Sequence, residues 1–155
     1  MQIRELTEFD LVTLAQIEAE AQSSPWSQAA FLRCWESKFP GWVLEIEQKI
    51  VGFIFISIAA SECHILNICI HPSQQRQGLG QKLLMTTLLR AKERGADTVY
   101  LEVRRSNHGA IHLYRQMNFK LIGERRNYYT TPKGPEDALV FARDLAMLDE
   151  TDLSQ

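Results

Sequence analysis

The stretch NICIHPSQQRQGLGQKLL, residues 67–84, constrains the fold more than any other part of the sequence. An apolar run that is typical of a strand ends at His71 and Pro72, Gly78 and Gly80 follow, and a helical pattern then begins at once. Such a turn gathers unpaired backbone N–H groups at the positive end of a helix dipole, and glycine lets the backbone approach a ligand closely. The stretch therefore predicts a site for a phosphate group at the start of a helix.

Three kinds of phosphate-binding turn compete for this stretch. A nucleoside-triphosphate loop needs G-x-x-x-x-G-K-[ST], and no lysine followed by a hydroxyl residue stands at that spacing. A dinucleotide turn needs G-x-G-x-x-G in an early β-α-β unit, but Leu83 occupies the last position and three predicted strands come first. The remaining pattern, Q-x-x-G-x-G in QRQGLG (75–80), suits a pyrophosphate. A plain strand-to-helix turn, in which Gly78 and Gly80 only relieve strain, stays open as the alternative.

Apolar periodicity along the chain predicts an α/β fold with the element order β-α-α-β-β-β-α-β-α-β-β and a mixed sheet flanked by helices. The predicted strands are residues 2–6, 42–47, 50–59, 62–70, 98–103, 120–127 and 138–143, and the predicted helices are 11–21, 28–35, 79–94 and 107–117. We expect one domain at residues 1–146, followed by an acidic tail at 147–155 that frays.

Single residues mark where these elements begin and end. Thr7 and Asp10 form a capping-box pattern before the first helix, and Ser27 is placed to cap the second. Gly95 is placed to end the third helix, and Asn118 stands after the fourth, where glycine in the left-handed conformation is common. These signals predict helix boundaries independently of the apolar pattern.

Composition excludes several classes of protein. Seventeen basic and nineteen acidic residues give a net charge of −2, which argues against nucleic-acid binding as the main activity. The longest apolar run, IVGFIFISIAA (50–60), is shorter than the roughly 20 residues of a membrane-spanning helix. The first residues lack the apolar stretch of a signal peptide. Three cysteines without C-x-x-C spacing suggest neither disulfides nor zinc and favour a reducing, cytoplasmic setting.

Other reactive side chains are weaker candidates. His108 and His112 have a metal-compatible spacing, but no further ligand completes a site, so we predict no metal. Cys69 could carry an acyl group, but we expect a small buried residue there, since no histidine partner is evident. Arg125 and Arg126 could touch RNA, but we expect them on a solvated face.

Five motifs point to one known family: SPWS (24–27), NICIHP (67–72), LEVRRSN (101–107), AIHLYRQMNF (110–119) and RRNYY (125–129). With these and the glycine turn, residues 1–143 resemble the GNAT superfamily of acetyl-CoA-dependent N-acetyltransferases. Within it the chain is most similar to the branch that acetylates the N-terminal alanine of small-subunit ribosomal protein number eighteen. The resemblance implies the element order above and a turn that binds acetyl-CoA. One departure is Met117-Asn118-Phe119, where the family usually has glycine before the aromatic residue.

The resemblance implies binding roles for residues within the motifs. Acetyl-CoA would be bound by the strand residues Ile68, Cys69 and Ile70, by the turn residues Arg76, Gln77, Gly78, Leu79, Gly80 and Gln81, and by Asn107. Asn107 could at the same time cap the helix that follows it. A peptide N-terminus would lie against Trp26, Tyr128, Tyr129 and Asp137, although packing at an edge strand explains the two tyrosines equally well.

By the same resemblance, Glu102 is the general base and Tyr114 the general acid of acetyl transfer. The alternatives are a solvated carboxylate on the polar side of a strand and an aromatic residue packed in the core. At pH 7 an α-amine with a pKa of about 7.8 costs about 1 kcal/mol to deprotonate, and a lysine with a pKa of about 10.4 costs about 4.6 kcal/mol. One carboxylate that acts through a water therefore favours an α-amine as the acceptor.

The expected function is direct transfer of acetyl from acetyl-CoA to the N-terminal alanine of that ribosomal protein, in one ternary complex and without a metal, a nucleic acid or a membrane. Two kinds of alternative stay open. One is acetylation of other protein N-termini, lysines or small amines. The other is a non-catalytic acyl-CoA-binding module that docks a partner through Trp26 and the Tyr128-Tyr129 pair.

Overall fold

Residues 1–149 and 151 are described by the computed structural model of this chain. The strands are β1 (Gln2–Glu5), β2 (Gly41–Ile46), β3 (Lys49–Ala59), β4 (Glu62–Ile70), β5 (Thr98–Arg104), β6 (Lys120–Thr131) and β7 (Gly134–Asp144), and the helices are α1 (Leu11–Ala21), α2 (Gln28–Glu36), α3 (Leu79–Glu93) and α4 (His108–Gln116). Short 3-10 helices lie at Glu8–Asp10 and Pro72–Gln74. The predicted α/β class and the predicted element order are confirmed, and β6 and β7 are longer than predicted because they form one extended hairpin.

The strands have the order β1-β2-β3-β4-β5-β7-β6. The pairs β1–β2, β2–β3, β5–β7 and β6–β7 are antiparallel, whereas β4 and β5 pair in parallel from Glu62↔Thr98 to Ile65↔Leu101. A parallel pair needs a long crossover, and the chain between β4 and β5 contains α3. The predicted β2–β3 hairpin turns at residues 47–48, whose φ angles of 51° and 67° suit a two-residue hairpin loop. Within the described residues, no helix combines the length and the apolar character needed to cross a bilayer.

The chain forms two compact units, of which the first contains residues 1–57 and 66–87. At its core the ring of Phe31 lies 5.4 Å from Phe53 and 6.3 Å from Phe55, measured between ring centroids. All three side chains are fully buried. Further members of this core are Leu6, Leu11, Leu14, Ala15, Ile17, Val43 and Cys69. The apolar residues of α1 recur three and four apart because one face of that helix meets the core.

Local contacts fix the beginnings of α1 and α2. The Thr7 N–H donates to Asp10 Oδ2 at 2.7 Å, which confirms the capping-box contact, and Asp10 forms an ion pair with Arg4 at 2.9 Å. Arg4 also contacts Glu45 at 2.7 Å, so one guanidinium holds the start of α1 against β2. Ser27 caps α2 as predicted, because its Oγ accepts a backbone N–H of the first turn at 3.2 Å.

The second unit contains residues 58–65 and the chain from residue 88 onward. In its core Tyr114 of α4 lies 6.3 Å from Phe141 of β7 and 5.8 Å from Phe119, between ring centroids. Gly95 follows α3 with φ of +94°, and Asn118 follows α4 with φ of +65°, as predicted. Asparagine thus takes the left-handed conformation that glycine commonly fills, because its short polar side chain tolerates that region.

Leu148 lies beyond the predicted domain boundary at residue 146, yet only 2% of it is exposed. Lys92 Nζ donates to the Leu148 carbonyl at 2.6 Å, and the Leu148 N–H donates to the Leu145 carbonyl at 3.1 Å. Burial of this apolar side chain stabilises position 148, and the predicted fraying of the tail stays a prediction. Residues 150 and 152–155 of the predicted tail lie outside the described residues, and the boundary itself stays a prediction.

Candidate active site

The predicted phosphate turn joins β4 to α3 in the first unit. Residues 75–78 are exposed, and Arg76 and Gly78 have φ angles of 64° and 78°. α3 begins at Leu79, and the Lys82 N–H donates to the Gly78 carbonyl at 3.2 Å. A helix has no internal acceptor for its N–H groups before that bond. The turn can therefore present backbone donors and the positive end of α3 to an anion.

The two glycines of the turn differ in conformation and in burial. Gly78 has φ of +78°, and a Cβ there would meet no other part of the chain within 4 Å. Conformation, and not packing against the protein, therefore selects glycine at this position. Gly80 lies in the first turn of α3 and is half-buried. Strain relief at Gly78 is thus supported, and it is compatible with a ligand beside the same backbone.

The carboxyl end of β4 contains the residues that are expected to bind the thioester arm. Cys69 is buried there, and burial, followed by the charge of Glu18, raises the pKa of its thiol to about 12. Such a thiol is a poor nucleophile, so the expectation of a small buried residue is confirmed. Gln75 Nε2 donates to the Ile70 carbonyl at 2.9 Å, which ties the turn to the end of the strand. The predicted contacts of residues 68–70 with acetyl-CoA stay predictions.

Glu102 lies in β5, along which half-buried and buried residues alternate. Alternation places Glu102 and Arg104 on the same face of the strand. Arg125 Nε of β6 donates to Glu102 Oε1 at 3.0 Å. A hydrogen bond to Glu102, ahead of burial and of the carboxylate's charge, raises the pKa of Tyr128. Glu102 is therefore more than a solvated carboxylate, since it pairs with Arg125 and interacts with Tyr128, and its predicted role as the general base stays a prediction.

The RRNYY segment forms a bulge in β6 instead of a regular strand. In the register with β7, residues 126–128 lie opposite Asp137 alone. Asn127 has φ of +53°, and its N–H donates to Asp137 Oδ1 at 2.9 Å. The rings of Tyr128 and Tyr129 lie 5.1 Å apart at nearly a right angle. Asp137 thus supports the bulge that positions both tyrosines, and its predicted contact with a peptide stays a prediction.

Tyr129 stacks on Arg104 beside this bulge. The Arg104 guanidinium lies 4.4 Å from the centre of the Tyr129 ring. Burial, followed by the charge of Glu102, raises the pKa of Tyr129 to about 12. Arg104 Nη1 is buried without a hydrogen-bond partner among the described residues, and it lies 4.0 Å from Glu136 Oε1. Tyr129 is therefore held by burial and by a cation–π contact, whereas Tyr128 is exposed.

Tyr114 lies in α4, whose first turn is capped by Asn107. Asn107 Oδ1 accepts the Ala110 N–H at 3.2 Å, so the predicted capping role is confirmed. The Tyr114 ring is buried against Phe119 and Phe141, which confirms its predicted core packing. A buried tyrosine ring still directs its hydroxyl from one end, so packing and proton donation are compatible.

Trp26 belongs to the first unit, together with the glycine turn. Its ring packs on Phe31 at 5.3 Å between ring centroids, and its backbone N–H donates to Glu18 Oε2 at 3.0 Å. The residues that the structure brings together in the second unit are Glu102, Tyr128, Tyr129 and Asp137, with Arg104 and Arg125 among them.

The roles of three residues in these groups were not predicted from the sequence. Arg125 and Arg126 lie on a solvated face as expected, and Arg125, with 57% of its side chain exposed, also pairs with Glu102. The position of Arg104, two residues after Glu102, indicates that it lies on the same face of the strand, since alternate residues of a strand share a face. Glu18 had no signal beyond its place in α1, where a carboxylate usually faces water.

No three His, Cys, Asp or Glu side chains in residues 1–149 and 151 are grouped as a metal site needs. His108 and His112 therefore gain no further ligand among these residues. Cys34, Cys63 and Cys69 are free thiols. Burial raises the pKa of Cys63, like that of Cys69, to about 12. Nothing in this part of the chain resembles a thiolate nucleophile or a zinc ligand set.

Comparison with known proteins identifies the class of this chain. The acetyltransferase (GNAT) family matches residues 9–119. The ribosomal protein bS18-alanine N-acetyltransferase of Escherichia coli (strain K12) is 36% identical over 145 residues, which cover 94% of this chain and 98% of that protein. The crystal structure of the ribosomal-protein-S18-alanine N-acetyltransferase from Escherichia coli matches with a TM-score of 0.88 and 36% identity, and covers 96% of each chain. The chain belongs to the acetyltransferase (GNAT) family and is an acyltransferase.

A likeness of fold alone extends to a plant protein. Arabidopsis thaliana NAA60 in complex with acetyl-CoA is 17% identical, with a TM-score of 0.82 over 93% of this chain and 98% of that one. The predicted family, its fold and the similarity to the ribosomal-protein-alanine branch are confirmed by these matches.

Proposed function

We propose that this protein transfers the acetyl group of acetyl-CoA to the α-amine of the N-terminal alanine of ribosomal protein bS18. One observation carries the proposal: the 36% identity to an enzyme named for that reaction extends over 94% of this chain and 98% of the relative. Such a match includes the segments proposed to face the acceptor as well as the acyl-CoA turn. Three free thiols suit a reducing cytoplasm as the place of the reaction.

The residues of the glycine turn fit the diphosphate of acetyl-CoA. The turn is exposed, two of its residues have positive φ, and α3 begins directly behind it. In the proposal, Arg76 and the amides of residues 77–81 bind the pyrophosphate. Residues 68–70 align the pantetheine arm, and one of their N–H groups donates to the thioester oxygen, where negative charge develops during the reaction. Asn107 contacts the same arm.

Glu102 and Tyr114 carry out the proton transfers of the proposed reaction. The neutral amine attacks the thioester carbonyl carbon, and Glu102 accepts the surplus proton of the nitrogen through a water. The C–N bond forms while charge develops on the carbonyl oxygen, and collapse of this intermediate breaks the C–S bond. Tyr114 protonates the leaving sulfur, which yields the acetylated amine and the free thiol of CoA. The proton on Glu102 returns to Tyr114 through solvent, so the protons balance.

Arg125 and Tyr128 support this role of Glu102. Arg125 Nε donates to the carboxylate and Tyr128 interacts with it, which restricts its orientation and directs its remaining lone pairs. The exposed ring of Tyr128 and the stacked ring of Tyr129 then border the slot for a peptide N-terminus. Asp137 holds the bulge that carries both rings. Trp26 is proposed as a further residue that contacts the peptide.

The acceptor follows from the cost of deprotonation. At pH 7 this cost is about 1 kcal/mol for an α-amine and about 4.6 kcal/mol for a lysine. A single oriented carboxylate with a water relay suffices for the smaller cost. This difference supports an N-terminal acceptor over a lysine side chain.

Purified protein incubated with acetyl-CoA and a set of hexapeptides, read by mass spectrometry, tests the proposal. The set contains the bS18 N-terminus, the same peptide with a blocked α-amine and an added lysine, and N-termini that begin with other residues. We expect one acetyl group on the α-amine of the alanine peptide and none on the blocked peptide. Faster acetylation of the lysine peptide would refute the acceptor. Acetyl-CoA binding without thiol release on any peptide would indicate a non-catalytic module.

Two variants test the assigned proton transfers. Glu102→Gln and Tyr114→Phe should each lower turnover about a hundredfold or more, because general acid–base catalysis contributes at least that factor. Acetyl-CoA affinity, measured by calorimetry, should stay at the wild-type value. Normal turnover in both variants would remove the roles given to these residues.

A further inference from the structure

Glu18 of α1 is a buried carboxylate that the proposed chemistry does not use. Only 2% of the residue is exposed. Its Oε2 accepts the Trp26 N–H at 3.0 Å and Asn67 Nδ2 at 3.1 Å. We infer that Glu18 is a positioning residue that fixes the Trp26 loop, residues 22–27, and the Asn67–Ile70 end of β4 relative to each other.

Cys69 extends this contact along β4. Asn67 and Cys69 are two positions apart, so their side chains lie on the same face of the strand. The charge of Glu18 acts on the Cys69 thiol as well as on the Asn67 amide. The backbone of Ile68 lies between Asn67, which donates to Glu18, and Cys69, whose thiol interacts with the same carboxylate. This backbone is part of the segment proposed to align the acyl group.

The energy of a buried charge couples the two segments. A carboxylate away from water is tolerated only when hydrogen-bond donors compensate for its lost hydration. Separation of the Trp26 loop from β4 would remove one donor from Glu18 and leave the charge undercompensated. A movement of either segment alone is therefore unfavourable, and one oxygen atom links them.

A second carboxylate of α1 strengthens this link. Glu20 contacts His71 Nε2, directly after β4 and before the glycine turn. The Nδ1 atom of His71 accepts the Ser73 N–H at 3.1 Å, which orients the ring. α1 thus contacts the chain at Asn67 and again at His71, on both sides of the proposed thioester segment.

This inference rests on the proposed function, in which Trp26 borders the peptide and residues 68–70 border the thioester. Under that function, Glu18 aligns the amine with the acyl carbon without touching either. It acts through the backbone N–H of Trp26 and the side chains of Asn67 and Cys69.

Three substitutions separate positioning from simple stabilisation. Glu18→Leu removes the acceptor at similar volume, Glu18→Gln keeps an acceptor oxygen, and Glu8→Gln changes an exposed glutamate of the same unit as the control. For Glu18→Leu we expect the peptide KM to rise and kcat to fall, each about tenfold, because hydrogen bonds to a charged group are lost. Acetyl-CoA affinity should change less than about threefold, since the turn that binds the diphosphate is intact. Glu18→Gln should recover most of both constants, and Glu8→Gln should match the wild type.

Hydrogen exchange measured by mass spectrometry gives a readout that does not depend on acetylation. The Trp26 N–H should exchange slowly in the wild type and in Glu8→Gln, because the buried carboxylate accepts it. It should exchange about tenfold faster in Glu18→Leu, where that acceptor is lost. Asn67→Ala removes only the strand donor, so it should lower kcat and leave the Trp26 N–H protected. This variant carries the test if Glu18→Leu does not fold.

Several results would overturn the inference. One is a Glu18→Leu variant with a lower melting temperature but unchanged KM and kcat. Others are a Glu18→Gln variant as impaired as Glu18→Leu, and an Asn67→Ala variant with the kcat of the wild type. A wild-type protein that acetylates no peptide would instead remove the proposed function. In that case faster Trp26 exchange in Glu18→Leu would still support the link, and unchanged exchange would refute it.

Discussion

Replacement of Gly78 by alanine puts a side chain at φ of +78°, where an L-residue loses about 1–2 kcal/mol. A Cβ there meets no other part of the chain within 4 Å, so no clash with the protein adds to this cost. Gly95 is a matched control, because it has φ of +94° and equally open surroundings at the end of α3. We expect Gly95→Ala to lower the melting temperature by about 2–8 °C, since a chain of this size loses about 2–4 °C per kcal/mol. Its affinity for acetyl-CoA should be unchanged.

The same cost at Gly78 can appear in either of two measurements. If the turn keeps its conformation, the melting temperature falls as in Gly95→Ala. If the turn relaxes to negative φ, the free protein avoids the cost, and acetyl-CoA must restore the conformation when it binds. Affinity then falls about five- to thirtyfold, because 1.4 kcal/mol corresponds to a factor of ten. We expect relaxation, because residues 75–78 are exposed and have little packing to hold them.

Thermal melting and calorimetric titration with acetyl-CoA measure the two effects on the same samples. An affinity that is equal in Gly78→Ala, Gly95→Ala and the wild type would refute the argument that the positive φ of Gly78 serves the ligand. If both the affinity and the melting temperature of Gly78→Ala equal those of the wild type, the positive φ at this position costs nothing and the turn is not strained.

Three further predictions concern stability and reactivity. Phe53→Ala should lower the free energy of unfolding by about 3–5 kcal/mol in urea titrations, because Phe53 is fully buried. Phe9 is 94% exposed, so Phe9→Ala should change the free energy of unfolding by less than about 0.5 kcal/mol. Similar losses in the two variants would contradict the assigned core. Burial raises the pKa of Asp10, but hydrogen bonds from Arg4 and Thr7 outweigh it and leave the pKa below its ordinary value. The contribution of Asp10 to the free energy of unfolding is then complete above about pH 4 and is lost as the pH falls through the lower folded-state pKa. Urea titrations at about pH 6 and about pH 2.5 should therefore show a smaller loss of stability in acid for Asp10→Asn than for the wild type. Equal losses in the two proteins would contradict this. A thiol reagent at about pH 8 should reach Cys34 before the buried Cys63 and Cys69, and all three only after unfolding; rapid native reaction of the buried pair would contradict their burial.

The helix boundaries were predictable because they depend on near neighbours. Ser27 caps α2 through an N–H three residues away. Gly95 and Asn118 adopt positive φ where each helix ends. Short sequence patterns predict such contacts, and they also predict the glycine turn and the alternation along β5.

The contacts within the site were not predictable from local patterns. Arg125 reaches Glu102 because the register of β6 with β7 shifts on both sides of it, and no propensity sets such a shift. Glu18 and Asn67 are 49 positions apart, so only the tertiary fold brings them together. The family resemblance named Glu102, Tyr128 and Tyr129, but the donors that orient the carboxylate required the structure.

β6 is the terminal strand of the sheet, and its outer rim offers backbone groups to solvent. A second molecule could extend the sheet only along an unbroken row of such groups. The register breaks between Leu121 and Gly123 and again between Arg125 and Tyr129, so the rim has no long straight template. The irregularity that turns Tyr128 outward thereby also discourages intermolecular strand addition and aggregation through this rim.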